Sequence, residues 1–337
     1  MHVLFCLLGL SQVPLAGRPM ILDCAPESAA SEFVFVTAPT GIWQFDRRAA
    51  NWKHRRTPGD WVRYIGVKDD TLWVITPKGA ASAGVHGGGW RLHRIPGQVR
   101  CLAFAGGRVW AGGDSGLLGF DPKTRSWWQR AEFVVNELLY WKDCLWIASN
   151  AGAFRYDLKT DLIRELPTRQ GAYGRVFPTV SRVWFVSDQS IAVHHPDTDS
   201  TAVFTGVPVK GCSSVGDSLF IVSRGGVFLY EPGAGKWVEV ADTMPLRGIE
   251  AVSVEDGSAW FADMFGLRRY SLSDTARQDW SRALNRADPP QALHADQRFV
   301  YMVGARQVQV LDRQQDAWTV VSLAAPRRFF DFLRPRR

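Results

Sequence analysis

Along this chain short apolar runs alternate with polar turns, and no helical period is sustained over any long stretch. One unit recurs. An apolar triplet centred on an aromatic is followed by a polar tight turn, often ending in Gly. A second apolar run then ends in an aromatic and an Asp, and a short turn leads to a Trp. The clearest copies occupy 108–127 and 145–160. Aligned on the central aromatic, the chain gives Phe35, Trp73, Trp110, Trp146, Trp184, Phe220, Trp260 and Tyr301, 36–41 residues apart. Six residues after each stand Gly41, Gly79, Gly116, Gly152, Ser190, Gly226, Gly266 and Gln307. Eleven after each stand Asp46, Gly84, Asp121, Asp157, His195, Glu231, Ser271 and Asp312.

The physics of each position defines the architecture. Triplets such as 72–74 and 183–185 are apolar on both strand faces, so both faces must be covered. The Gly suits a positive φ in a tight turn, and the Asp suits a turn in which its carboxylate accepts backbone N–H groups. Trp52, Trp127, Trp237 and Trp318 lie six residues past the acidic position and are expected to open a fourth strand against the adjacent blade. Residues 64–67, 99–104, 138–141, 175–180 and 248–254 supply innermost strands. A period near 38 residues holds four short strands with their turns. The fold class is therefore all-β: a single β-propeller of eight four-stranded antiparallel blades. The count becomes seven if residues 20–24 fail to give the first blade its inner strand. Residues 80–89, which contain Gly87-Gly88-Gly89, depart from the repeat, and a hairpin is expected there.

The unit at 145–160 resembles that of two-component-regulator-type propellers, and 112–127, with its Gly-Gly doublet and Phe-Asp-Pro-Lys-Thr-Arg-Ser-Trp, resembles a Kelch repeat. The resemblance spans about 32–323 and implies a propeller of the broad WD40/YVTN-like class; it implies no chemistry. The Asp-to-Trp spacing differs from the docking motif of quinoprotein dehydrogenases, so no quinone cofactor is expected, nor any other.

Composition adds three points. Two positions of the repeat absorb nine of the 15 Trp, and Trp90 and Trp280 stand at looser equivalents, so most of the Trp excess is structural. Five Cys without a CxxC pair exclude a zinc framework and read as separate buried thiols. The charge of +7 is concentrated: residues 326–337 form a basic tail, and Arg47, Arg48, Lys53, Arg55 and Arg56 form a second cluster. Contact of the tail with an anionic surface is consistent with this; nucleic-acid binding is not expected, since no aromatic platform accompanies the charge. Val3 to Leu10 has the length of a signal-peptide apolar region and is too short to span a bilayer. Residues 1–17 therefore read as an export signal, the alternative being an extra N-terminal strand, and 18–325 as the propeller. The expected location is periplasmic or secreted, with the cytoplasm as alternative. No transmembrane segment is expected.

No reaction motif is present. The recurrent acids sit at one repeat position on different blades and cannot pair for acid–base work. His194 and His195 are neighbours on a strand, point to opposite faces, and substitute for the aromatic and the acid of the unit. No metal site is expected. Propellers bind through loops at one end of the ring. Arg169, Tyr173, Arg175, Arg224, Arg247 and Asp263 are the candidate ligand-binding residues there, with Tyr173 between two Arg suiting an anionic or glycan-like ligand. The leading expectation is a non-catalytic scaffold for a protein or small-molecule ligand. The alternative is a propeller lyase or hydrolase with its site at the channel mouth.

Overall fold

A computed structural model of the protein describes residues 9–11, 21–23, 32–39, 41–59, 61–121, 124–168, 171–206, 209, 211–223, 226–231, 235–239, 249–255, 257–263, 266–271, 277–280 and 288–323. It is all-β among those residues. Eight antiparallel four-stranded sheets follow one another around an axis, each built from contiguous chain. Blade one comprises Ile21–Asp23, Phe33–Ala38, Gly41–Asp46 and Asn51–Arg56; blade eight comprises Ala292–Ala295, Phe299–Val303, Gln307–Asp312 and Ala317–Ser322. The count is thus eight, and no blade mixes strands from the two ends of the chain. A further short strand, Gly9–Ser11, pairs with Ile21–Asp23 on the inner edge of blade one. It falls inside the stretch read as an export signal.

The repeat positions occupy equivalent places in every blade. All eight anchor aromatics lie on the second strand of their blade, and all eight are buried. The turn after that strand requires glycine where the backbone goes left-handed: Gly79 has φ 113° and Gly116 φ 92°. A Cβ at Gly79 would meet the His93 carbonyl at 2.9 Å. The acids close the next turn as the sequence implies. Asp46 Oδ1 accepts from the Arg48 and Ala49 N–H groups, Asp157 Oδ1 from Lys159 and Thr160, and Asp312 Oδ1 from Gln314 and Gln315.

One ring contact recurs across the junctions. The second-strand aromatic of one blade meets the third-strand aromatic of the next, edge to face: Trp110 with Tyr156 at 5.2 Å, Trp184 with Tyr230 at 5.1 Å, and Tyr301 of blade eight with Phe45 of blade one at 5.6 Å. At the junction of blades four and five His194 takes the aromatic's place, 5.3 Å from Trp146. Its Nδ1 pairs with the Thr201 hydroxyl at 2.9 Å. His195 points the other way and accepts from Arg182 Nε at 3.2 Å. The fourth-strand Trp side chains pack toward the preceding blade, as Trp237 does 6.4 Å from Trp184.

The ring closes by packing. Ile21, Val34, Val36, Trp43 and Phe45 of blade one share a core with Ala292, Phe299, Tyr301, Val303, Val308 and Val310 of blade eight. Arg47 adds an ion pair to Asp296 at 3.0 Å. Blade two forms the expected hairpin from Gly79–Gly84 and Gly87–His93. Arg55 of blade one clamps it, donating to the Val85 carbonyl at 2.7 Å and the Gly84 carbonyl at 2.9 Å. The sequence-level basic cluster is therefore dispersed: Arg47 and Arg55 serve structure, while Lys53 and Arg56 are exposed. Cys101, Cys144 and Cys212 are buried free thiols, as expected; Cys6 and Cys24 and the 326–337 tail lie outside the described residues.

Candidate functional site

Apart from that of blade one, which Gly9–Ser11 covers, each inner strand has one edge without a strand partner among the described residues, and its backbone groups need other partners. Side chains of the preceding blade supply several. Tyr64 Oη donates to the Leu102 carbonyl at 2.7 Å. Glu137 Oε2 accepts from the Val176 N–H at 2.7 Å, Ser213 Oγ from Val254 at 3.1 Å, and Ser253 Oγ from Ala295 at 3.1 Å. The partners are separated by 38–42 residues, the spacing of the repeat. The sequence reading missed this bridging set. A polar residue on an otherwise apolar inner strand, such as Glu137 before Leu138-Leu139, is the signal that marks it.

Glu137 stands out because it is an acid only 3% exposed. Burial raises its carboxyl to about 8, against the pull of the Val176 N–H and the nearby Arg175 guanidinium. Burial likewise raises the Tyr64 hydroxyl and the Cys101 and Cys212 thiols. Thiols held protonated this way are poor nucleophiles, so these cysteines read as core residues.

The loop end of the ring is where the second-to-third-strand turns meet the blade-to-blade connections. Their backbones interlock: Asp114 N–H donates to the Gln98 carbonyl at 2.9 Å, Asn150 to Val134 at 3.1 Å, and Tyr173 to Ser149 at 2.9 Å. Hydroxyls at the end of the second strand close the turns from within. Thr76 Oγ1 donates to the Gly79 carbonyl and Ser149 Oγ to the Gly152 carbonyl. On this platform lies a line of side chains on blades three and four that ends on the backbone of the connection to blade five. Arg100 donates to Asp114 Oδ1 at 2.6 Å and to Asn136 Oδ1 at 2.5 Å. Asn136 Nδ2 donates to Asn150 Oδ1 at 2.8 Å and to the Tyr173 carbonyl at 2.9 Å. Arg100 and Asn136 sit at β-bulges, between Val99 and Cys101 and between Val135 and Glu137, which turns both side chains toward the rim. The sequence reading missed Arg100 and Asn136, because a bulge leaves no mark in the apolar alternation.

The six residues expected from sequence fare differently. Tyr173 is 1% exposed: its ring packs on Phe185, its hydroxyl donates to the Thr168 carbonyl, and its own carbonyl holds Asn136. Arg175 opens the inner strand of blade five, half-buried beside Glu137 and Cys212. Asp263 ends the second strand of blade seven, opposite Ile249. Arg169, Arg224 and Arg247 lie outside the described residues. Tyr173 and Arg175 thus belong to one region, with Arg100, Asn136 and Asn150, while Asp263 is two blades beyond Arg175. Among the described residues no cluster of three or more His, Cys, Asp or Glu could hold a metal ion, and no helix is long and apolar enough to cross a membrane.

No protein family matches the chain, and no curated protein resembles it by sequence. Solved structures do resemble it in fold. A computationally designed protein, Ika8, is 16% identical with a TM-score of 0.66, covering 93% of this chain and 100% of the other. The extracellular domain assigned to a hybrid two-component system of B. thetaiotaomicron is 12% identical with a TM-score of 0.53, covering 93% of this chain and 53% of that one. The WD40 repeats of RRP9 are 12% identical with a TM-score of 0.54, covering 75% and 92%. These likenesses show the eight-bladed chain to be a β-propeller and carry nothing further.

Proposed function

We propose that this propeller is a non-catalytic binding scaffold that takes a protein or ligand across its loop face. The observation that carries the reading is the line Asp114–Arg100–Asn136–Asn150 across two adjacent blades, three and four. Its members are held in place by one another and by backbone, and they sit at the surface, where the core gains nothing from them. Rigidly held polar side chains on a stable ring suit recognition, because little side-chain entropy remains to be lost on binding. Arg175 opens its strand at the same end and Tyr173 supports that face from below; Arg169, Arg224, Arg247 and Asp263 are kept as candidate contacts on the sequence pattern alone. We assign the repeat to the two-component-regulator type on its 145–160 unit. We place the protein in the periplasm or outside the cell on the apolar run within residues 1–17, and give the 326–337 tail an anionic surface as its contact.

The test is site-specific photo-crosslinking in living cells. A photoreactive residue replaces Asn150 on the loop face or Lys142, which lies in the turn after the inner strand of blade four at the opposite end. Discrete crosslinked species from the Asn150 position alone are expected. Crosslinks from the Lys142 position alone would overturn the assignment of the face.

A further inference from the structure

We infer that Trp61 is an anchor with which the loop face grips a protein partner, through an acidic peptide segment that carries an apolar side chain. The inference rests on the loop-face reading and adds a residue and a partner chemistry to it.

Trp61 sits in the connection from blade one to blade two, and both sides of that connection are pinned. Thr57 Oγ1 donates to the Gly59 carbonyl at 2.7 Å. The Trp61 N–H donates to the Pro39 carbonyl, in the second-to-third-strand turn of blade one, at 2.8 Å, and the Arg63 N–H donates to the Ile75 carbonyl of blade two at 2.8 Å. Val62 between them is buried. Held this way, Trp61 has φ 65° and is 54% exposed. The other non-glycine residues with positive φ among the described residues are Ala, Asp, Arg and Lys, the types that a turn tolerates. A bulky aromatic there is a strained choice, and strain of this kind persists where a function needs the side chain. The ring has no aromatic or hydrogen-bond partner among the described residues, so the fold draws no packing from its exposed part.

The surroundings set the chemistry. Arg63 and Lys78 are exposed, and the Lys78 stem lies beside Gly59, two residues before the Trp. Neither has a carboxylate partner among the described residues. The other large exposed apolar side chains are Leu92, Leu162 and Val320 on outer strands, Tyr140 on an inner strand and Val180 in a turn at the opposite end. Trp61 is therefore a single apolar knob on a stretch where two cations, Arg63 and Lys78, outnumber the one acid of the connection, Asp60. A small molecule is held by concave walls, which a protruding ring does not supply. Trp and Arg are the residues that dominate protein–protein binding energy, and unpaired cations around them favour an acidic partner.

The test uses three fluorescein-labelled synthetic peptides on the full chain, read by anisotropy. One combines Asp and Glu with Leu and Phe, one replaces the acids with Lys, and one replaces the apolar residues with Ser. Only the first is expected to bind, and more weakly as salt rises. Trp61→Ala should weaken it about tenfold or more and Trp61→Phe by much less, while the neutral double variant R63Q/K78Q should remove most of the salt dependence. Trp61→Gly should lose binding without lowering the thermal midpoint, because glycine accepts the positive φ; a Trp kept for packing would lower it. Absence of binding to any of the three at about 1 mM, or binding unchanged by Trp61→Ala, overturns the inference. If Asn150→Ala or Arg100→Ala weakens binding while the Trp61 variants do not, the inference falls and the loop-face reading stands. If crosslinks arise only from the opposite end, the loop-face reading falls as well.

Discussion

Glu137 and His194 are buried groups whose neutral forms the fold prefers, and they act in opposite directions with pH. The Glu137 carboxyl is raised by burial from 4.5 to about 8. The folded state therefore binds the extra proton between those values, and the stability this contributes is complete below 4.5 and lost as pH rises through about 8. His194 is lowered by burial from 6.5 to about 4. Its contribution is complete above 6.5 and lost as pH falls through about 4. The thermal midpoint should accordingly peak near pH 5–6. In Glu137→Gln the decline from pH 6 to 8.5 should flatten, with little loss at pH 5, because the amide oxygen can still accept from Val176. Calorimetry across that range checks it; parallel profiles for the two proteins would contradict the assignment. The same residues mark what the sequence leaves unread. His194 was legible as a substituted aromatic because the repeat fixes its place. Glu137 was not, because only the neighbouring blade reveals which N–H it serves. Tyr173 is a similar case: its flanking arginines drew attention to it as a contact, whereas its hydroxyl is used 3.0 Å away on Thr168.

At the scale of elements, nearly every strand was legible. Two periods coincide, alternation within a strand and recurrence between blades, and each turn carries its own Gly or Asp. The connections were not, since their conformations are set by contacts between blades with no sequence period. The blade-two hairpin shows both sides. Its strands were foreseen, but the Arg55 clamp on Gly84 and Val85 was hidden in a basic cluster that looked like surface charge. Arg55→Ala removes two charge-assisted hydrogen bonds and leaves two carbonyls without those donors, at a cost of about 2–4 kcal/mol. A lower urea midpoint, with faster amide exchange concentrated in 79–93, is the expected outcome. A change below about 0.5 kcal/mol would show that the clamp carries no stability.

The whole molecule depends on how the last blade meets the first. A ring can be secured by a blade that mixes strands from both ends of a chain; here blades one and eight are each contiguous and, among the described residues, meet through side chains. Asp296 is the polar centre of that junction. It accepts from Arg47, from the Arg298 and Phe299 N–H groups, and from the Tyr301 hydroxyl. Asp296→Ala should lower the thermal midpoint by about 2–5 °C and open the junction of blades one and eight first, visible as early amide exchange in 33–38 and 299–303. Uniform exchange around the ring would contradict a weak point there. The eight-blade closure also fixes which loops share a face, so the binding proposal stands on it. It is tested most directly by spin-label distances between outer strands: Lys53 of blade one with Val320 of blade eight, compared with Lys53 and Arg91 of blade two. A closed ring of eight predicts two short, similar separations, each that of adjacent blades. A Lys53-to-Val320 separation as long as the distance across the ring would contradict it.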